Sequence, residues 1–236
     1  MTINNSDTVK QAGRWLIISG TLYLLTVIVF FLIFNIEIDA EKKKTFFEAI
    51  PKELLYGTYK IGFIIRTLGV FCNVLILFCY YLICISRDKI KIQYITGIAS
   101  VIAFKILIII CYTVQIIMPA STYFNTTRAE RLLFYVNGSD VSYILILGYF
   151  FWAISALIIG LRLLKNKGFE FITGIVLMIS SITAIVLFIL LTLKSYDNYE
   201  QYINLYTMPL ITGVVFIPFA VSAIASGFVY IKDSSK

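Results

Sequence analysis

The chain has 236 residues, of which 60% are hydrophobic and 14% are charged, and its mean hydropathy is +0.91. A soluble domain is about half apolar and about a quarter charged. The composition therefore excludes an ordinary soluble domain and predicts a chain that lies mostly in lipid.

Six apolar stretches follow one another along the chain, and each is long enough to cross a bilayer, which takes about 20 apolar residues in a helix. They cover approximately residues 15–36, 61–86, 92–118, 141–164, 171–193 and 208–231. Lipid cannot satisfy an open strand edge, and the runs lack the alternation of barrel strands, so they are predicted to be helices. The predicted fold class is all-α: a single polytopic domain over residues 1–236 with six transmembrane helices.

The distribution of Lys and Arg predicts the orientation, because cytoplasmic loops collect these residues. The short loops RDKIK (87–91) and RLLKNK (162–167) hold three cations each, whereas the short loop at 195–206 holds none. Both termini are therefore predicted to be cytoplasmic in a bacterial plasma membrane. The net charge of +7 is a topology signal under this interpretation, and no nucleic-acid partner is expected.

Two features interrupt the pattern of plain spans. The longest outer connection, residues 37–60, is either a lid-like irregular loop or a short interfacial helix broken at Pro51. Pro218 lies within span six, where it lacks a backbone donor. It is predicted to kink that helix and free the carbonyl of Val214.

Small residues spaced four apart predict places where helices approach closely. The sequence contains four such pairs: Ala99 and Ala103, Ala156 and Gly160, Ser222 and Ser226, and Ala223 and Gly227.

The residue types that carry most catalytic chemistry are missing from the sequence or fall in unsuitable places. There is no histidine, no Asp or Glu lies inside a predicted span, and no phosphate-binding glycine loop or nucleophile elbow occurs. The four cysteines all fall in predicted spans, where free thiols are expected. We expect no catalytic residue, no metal site and no cofactor, and we interpret the chain as non-enzymatic.

Two cations inside the predicted spans, Arg66 and Lys105, are the candidate ligand-binding residues. Lys105 lies about 20 Å from the inner end of span three, and Arg66 lies about 8 Å from the outer end of span two. Placing a lysine at the centre of a membrane helix makes the free energy of insertion about 2.5 to 3.5 kcal/mol less favourable. Their candidate partners are Asn73, Tyr112 and Gln115, backbone carbonyls, water, or a carboxylate from the first outer loop. The hypothesis is one outward-facing cavity for a small anion or a lipid headgroup. Alternatively, Lys105 reaches internal water or a carbonyl and binds no ligand.

Three segments carry a resemblance to a known family: AGRWLIISGTLYLLT (12–26), ELLYGTYKIGFIIRTLGVFCNVLILFCYYLI (53–83) and IIGLRLLKNKGF (158–169). With the spacing of the spans, they resemble the bacterial six-helix membrane proteins known as domain of unknown function 4386. The resemblance covers nearly the full chain. It implies a small integral membrane protein and assigns no functional residues.

Three functions remain open on the sequence. The first is a non-enzymatic multi-pass membrane protein with an unknown cargo or partner. The second is a small-molecule carrier or substrate-binding membrane subunit that uses Arg66 and Lys105. The third is an interaction or immunity-type subunit that contacts other membrane subunits through its helix faces. A ligand cavity favours the second, and a tightly packed bundle favours the third.

Overall fold

A computed structural model describes residues 5–42, 52–87, 92–117, 140–193 and 215–233. These residues form six helices, with a short turn at 164–168. The helices are α1 (Asn5–Lys42), α2 (Lys52–Arg87), α3 (Ile92–Ile117), α4 (Asp140–Leu163), α5 (Phe169–Leu193) and α6 (Ile217–Asp233). The prediction of an all-helical chain is confirmed for the described residues.

Four of these helices contain a segment that is long and apolar enough to cross a membrane. The segments are Ser6–Val29, Thr67–Arg87, Ile92–Cys111 and Phe169–Val186. Helix α4 contributes a shorter apolar segment, Leu147–Leu163. Helix α6 begins at Ile217, and the predicted first part of span six (208–214) lies outside the described residues.

The outward faces of the helices are apolar, which is the surface that lipid requires. On α3, Ile102, Ile106 and Ile110 are about half exposed, while Phe104 and Ile108 on the opposite face are buried. Isoleucines at i, i+4 and i+8 form a continuous stripe, and a stripe of this kind repeated around a bundle suits a bilayer rather than water.

The six helices form a ring in chain order. Each helix packs against its neighbours in the sequence, α6 returns to pack along α1, and α2 also meets α4 across the centre. The largest fully buried side chains include Trp152, Tyr80, Tyr81, Phe104 and Phe219. The interior is therefore aromatic and is shared by most of the helices.

Glycines allow two helix pairs to approach closely. A Cβ atom on Gly227 of α6 would lie 2.6 Å from the carbonyl oxygen of Gly13 on α1. Between α4 and α5, a Cβ atom on Gly174 would lie 3.0 Å from the carbonyl oxygen of Gly160. Two of the predicted small-residue pairs, the one ending at Gly160 and the one ending at Gly227, therefore lie at helix contacts. In the pair Ala99 and Ala103, the first residue is exposed and the second is half-buried.

The backbone widens just before Pro218. Val215 and Phe216 form a π-helical turn, and Pro218 follows as the second residue of α6. A wider turn is one way in which a helix accommodates a missing backbone donor. The carbonyl of Val214 lies outside the described residues, so the predicted kink remains a prediction.

Candidate functional site

Both described ends of the chain lie at one end of the ring. Gly13 contacts Gly227, while Gly20, two turns further along α1, contacts Ala220, seven residues earlier on α6. The two helices therefore run antiparallel, and the start of α1 lies beside the end of α6. Arg87, the last residue of α2, and Glu170, the second residue of α5, meet at this same end. We call it the basal end.

A set of charged and polar side chains spans the basal end. The Arg87 guanidinium forms an ion pair with Glu170 and lies 5.1 Å from the centre of the Tyr230 ring. The side-chain amide of Asn166 also donates to Glu170. Arg162 in turn donates to Asn166 Oδ1 at 3.0 Å. We call Arg87, Asn166, Glu170 and Tyr230 the charged layer; it ties the ends of α2, α5 and α6 together.

The local sequence explains why this layer forms. Glu170 lies in the first turn of α5 and Arg87 in the last turn of α2, the helix positions that favour an acid and a base. Between α4 and α5, Gly168 has a φ of 70°, which a residue with a side chain rarely adopts. The resulting turn places Asn166 beside Glu170.

A second set of polar side chains lies about one helical turn deeper in the bundle. The Tyr80 hydroxyl donates to Ser226 Oγ at 3.1 Å, and Thr173 Oγ1 lies 3.1 Å from the same Ser226 oxygen. All three residues are buried. We call Tyr80, Thr173 and Ser226 the hydroxyl layer; it connects the same three helices, α2, α5 and α6.

The centre of the bundle holds a cluster of aromatic rings. The Phe219 ring meets the Tyr23 ring edge-on at 5.8 Å and the Trp152 ring edge-on at 5.5 Å. Tyr149 lies 5.7 Å from Phe104 and 6.3 Å from Phe216. We call these six residues the aromatic layer; they come from α1, α3 and α4 and from the segment around the start of α6.

Two polar atoms near the aromatic layer have no hydrogen-bond partner in the described part of the chain. They are Oδ1 of Asn73, a residue that is 3% exposed, and Nε1 of Trp152, which is 1% exposed. The Asn73 amide lies beside the Tyr23 hydroxyl. Buried polar atoms are usually paired with protein or ordered water, and the described residues supply no partner for these two.

One face of α6 connects the three layers. Phe219, Ser222, Ser226 and Tyr230 follow one another at spacings of three and four residues, so they lie on one side of the helix. All four are buried. The neighbouring stripe of α6, which includes Ala220 and Gly227, packs against α1. We call the four residues the polar stripe.

The structure does not bring Lys105 and Asn73 together. The Lys105 ammonium lies 5.2 Å from the centre of the Phe71 ring, and Phe71 is 42% exposed at the surface of the bundle. Phe71 and Asn73 are two residues apart on α2, which separates them by about 200° around the helix axis. Lys105 therefore lies at the margin between the interior and the outer surface, on a different side of α2 from Asn73.

The other three predicted site residues have side chains outside the described part of the structure. Arg66 belongs to α2, and Tyr112 and Gln115 belong to α3. The predicted pairing of Arg66 with Lys105 in one cavity therefore remains a prediction.

Sequence reasoning missed the charged layer. Arg87 belongs to the basic loop RDKIK, which predicts only the orientation, and in the structure it pairs with Glu170, 83 residues later in the sequence. An available signal was Glu170 itself, an acid placed between the basic loop at 162–167 and an apolar helix. An acid in that place has cations nearby at its own end of the bundle.

The described residues contain no cluster of three or more His, Cys, Asp or Glu side chains placed to hold a metal ion. Comparison with protein-family models, with curated proteins and with solved structures gives no match to this chain.

Proposed function

We propose that the chain is a non-enzymatic, multi-pass protein of the bacterial plasma membrane that carries a small molecule through the centre of its helix bundle. It crosses the membrane six times, with both termini in the cytoplasm. Its kinship with the family known as domain of unknown function 4386 belongs to the same proposal. The observation that carries the proposal is the buried polar stripe of α6.

The polar stripe supports a carrier because it places hydrogen-bonding groups along one line inside a membrane bundle. Ser226 bonds to Tyr80 and Thr173, and Ser222 donates to the carbonyl oxygen of Phe219 at 2.9 Å. Near the ends of this line, the Tyr230 hydroxyl, Asn73 Oδ1 and Trp152 Nε1 have no partner among the described residues, and a buried polar group without a partner costs about 1 to 3 kcal/mol. A polar cargo passing along this line would find hydrogen-bonding groups at successive turns.

The charges support the proposed orientation. Among the described residues at the basal end, the cations outnumber the acids; the cations are Lys10, Arg14, Arg87, Arg162, Lys165, Lys167 and Lys232, and the acids are Asp7, Glu170 and Asp233. An excess of Lys and Arg is typical of the cytoplasmic side. The basal end is therefore the cytoplasmic end in this proposal.

The anion-binding alternative at Lys105 and Arg66 has one observation in its favour. Within the described residues, no acid side chain pairs with the Lys105 ammonium, whose described contact is the Phe71 ring. An anionic cargo or lipid headgroup would supply the missing charge. The two alternatives predict that different substitutions abolish ligand binding: at the polar stripe for a neutral cargo, and at Lys105 for an anion.

The interaction-subunit alternative also has an observation in its favour, the close glycine contacts of α1 with α6 and of α4 with α5. A bundle packed in this way presents stable helix faces to other membrane subunits. It predicts that the protein purifies with a partner and that no small molecule stabilises it.

The test uses the full chain, purified and reconstituted in nanodiscs, and a panel of small neutral and anionic molecules screened by thermal melting. A ligand present at 100 times its dissociation constant stabilises by about 2.7 kcal/mol, which raises the melting temperature of a chain of this size by roughly 5 to 10 °C. The expected result is a stabilising ligand whose effect is lost in Ser222→Ala and Asn73→Leu. Ile106→Leu, on the outer surface, is the matched control.

The outcomes separate the alternatives. An effect that is lost in Lys105→Met but kept in Ser222→Ala supports the anion site instead. A panel without any stabilising molecule contradicts the carrier proposal in both forms.

A further inference from the structure

We propose that the charged layer is a gate that closes the basal end of the bundle over the deeper part of the polar stripe, from Phe219 to Ser226. The inference rests on the proposed carrier function for the purpose of the gate, which is to control access of cargo from the basal side. The closure itself is argued from the geometry of Arg87, Glu170 and Tyr230.

The charged layer lies between the hydroxyl layer and the basal surface. On α6, Tyr230 follows Ser226 by four residues, and on α5, Glu170 precedes Thr173 by three. One turn of a helix rises about 5.4 Å, so Tyr230 and Glu170 lie roughly one turn closer to the surface than Ser226 and Thr173, and Arg87, seven residues after Tyr80 on α2, lies about two turns closer than Tyr80. Ser226 is 2% exposed although it is near the end of its helix. The charged layer is what separates it from solvent on that side.

The charged layer closes a seam between α2 on one side and α5 and α6 on the other. Across this seam the helices themselves are in little direct contact. Among the described helices, α2 packs along α1 and α3 and meets α4, but it is not a close neighbour of α5 or α6. The contacts that join α2 to those two helices at the basal end are made by long side chains. Among the described residues they include the Arg87–Glu170 ion pair, the Arg87–Tyr230 ring contact and the Tyr80–Ser226 hydrogen bond. Opening this seam breaks polar contacts and does not require the helices of the ring to unpack.

The contacts are also of a kind that breaks easily. The Arg87 side chain is 35% exposed and that of Glu170 is 14% exposed, and an ion pair with a partly exposed partner contributes little because water competes for both charges. The Tyr230 hydroxyl is buried and has no hydrogen-bond partner within the described residues. Opening would let water reach this hydroxyl, so one unfavourable feature of the closed state is relieved when the gate opens.

The experiment measures how fast a thiol reagent reaches a cysteine placed beneath the gate. The full chain is made with Cys72, Cys79, Cys84 and Cys111 replaced by alanine, and its melting temperature is compared with that of the natural chain. Ser226→Cys is the reporter; it alters the Tyr80–Ser226 contact in the parent and in every variant alike, so differences among them report on the charged layer. A charged, membrane-impermeant thiol reagent is added to inside-out membrane vesicles, so that it approaches from the proposed cytoplasmic side.

Removing one charge of the pair should open the gate. Glu170→Gln is expected to raise the labelling rate of the Ser226→Cys reporter about tenfold, from the loss of the ion pair and the loosening of the ring contact. Exchanging the two charges, with Arg87→Glu and Glu170→Arg together, should slow the labelling severalfold relative to Glu170→Gln, because the ion pair is re-formed while the contact with the Tyr230 ring is not. Lys165→Gln is the matched control; it removes one exposed basal charge outside the charged layer and should leave the rate unchanged.

A second reporter distinguishes a gate from general loosening. Ser155→Cys lies buried on α4, where it faces Gly97 of α3 and not α5 or α6, and its labelling should stay slow in every variant. Equal rates for the parent and Glu170→Gln would overturn the gate, and so would a rise at both reporters.

Failure of the gate and failure of the proposed function give different results. Labelling that depends on Glu170 but occurs only in right-side-out vesicles keeps the gate and contradicts the proposed orientation. Gated labelling together with a nanodisc panel that yields no ligand keeps the gate and contradicts the carrier.

Discussion

At the contact between α1 and α6, two glycines face each other, and the structure predicts how much stability is lost when either one is replaced by alanine. A Cβ atom on Gly227 would lie 2.6 Å from the carbonyl oxygen of Gly13 and 2.6 Å from Cγ1 of Ile17. Ile17 can change its side-chain conformation, but the carbonyl oxygen moves only with the backbone of α1. The Gly227→Ala variant must therefore push α1 and α6 apart by about half an ångström or more to reach ordinary contact distances.

Two opposing effects decide the size of the change. Overpacking a well-packed contact costs about 1 to 3 kcal/mol, whereas replacing a helical glycine by alanine gains about 1 kcal/mol of helix propensity. At Gly227 the overpacking is severe, so we expect a net loss of about 1 to 2 kcal/mol. At Gly13 the nearest approach is 3.0 Å, and the two effects should nearly cancel in Gly13→Ala.

The assay is thermal melting of the full chain in one detergent, followed by tryptophan fluorescence. A loss of 1 to 2 kcal/mol corresponds to a fall of roughly 2 to 8 °C for a chain of this size. Val221→Ile, which adds one carbon to an exposed position on α6, is the control and should change the melting temperature little. A Gly227→Ala protein as stable as the natural chain, or less affected than Gly13→Ala, would refute the close contact of α1 and α6.

Three further predictions concern topology, the membrane lysine and an unpartnered interior atom. In a cysteine-free background, Ser121→Cys should react with an impermeant thiol reagent in intact cells and Lys165→Cys should not, since both termini and the basic loops are proposed to be cytoplasmic; the reverse pattern contradicts the orientation. Lys105→Met should keep the melting temperature within a few degrees, because the replacement is apolar and of similar length; a protein that no longer folds would show instead that the ammonium is structurally required. Trp152→Phe should lower the free energy of unfolding by less than the roughly 3 to 5 kcal/mol of a large truncation, because the lost indole nitrogen has no partner among the described residues. A larger loss of stability in melting experiments would indicate that water or a ligand binds Nε1.

The helices were predictable because each long apolar run stops close to the point where charged residues begin. The predicted span 171–193 corresponds to α5 at Phe169–Leu193, and the predicted span 92–118 to α3 at Ile92–Ile117. At α1 the agreement is poorer, since the helix extends from Asn5 to Lys42 around a predicted span of 15–36. Hydropathy detects where a helix can contact lipid, and polar residues continue a helix beyond that point without changing its backbone geometry.

The sites were less predictable because a single sequence does not show which residues face each other. Spacing by four identified Gly160 and Gly227 as contact residues, but the same spacing at Ala99 belongs to an exposed face. Periodicity locates a stripe on a helix without saying what it faces. The pairing of Arg87 with Glu170 depends on the ring arrangement of three helices, which the helix positions alone leave open.

The closure of the ring by α6 against α1 has a consequence for biosynthesis. Gly13 and Gly227 are 214 residues apart in the sequence, and at about 5 to 20 residues per second α6 is synthesised roughly 10 to 40 seconds after α1. During that interval the face of α1 that will meet α6 has no partner from α6. The Ser19 hydroxyl on α1 donates to the carbonyl oxygen of Trp15 at 2.6 Å, and the Thr26 hydroxyl donates to that of Tyr23 at 2.7 Å. Both hydroxyl groups are satisfied within their own helix, so the nascent α1 can remain in lipid without an unpaired donor at either position until the last helix is inserted.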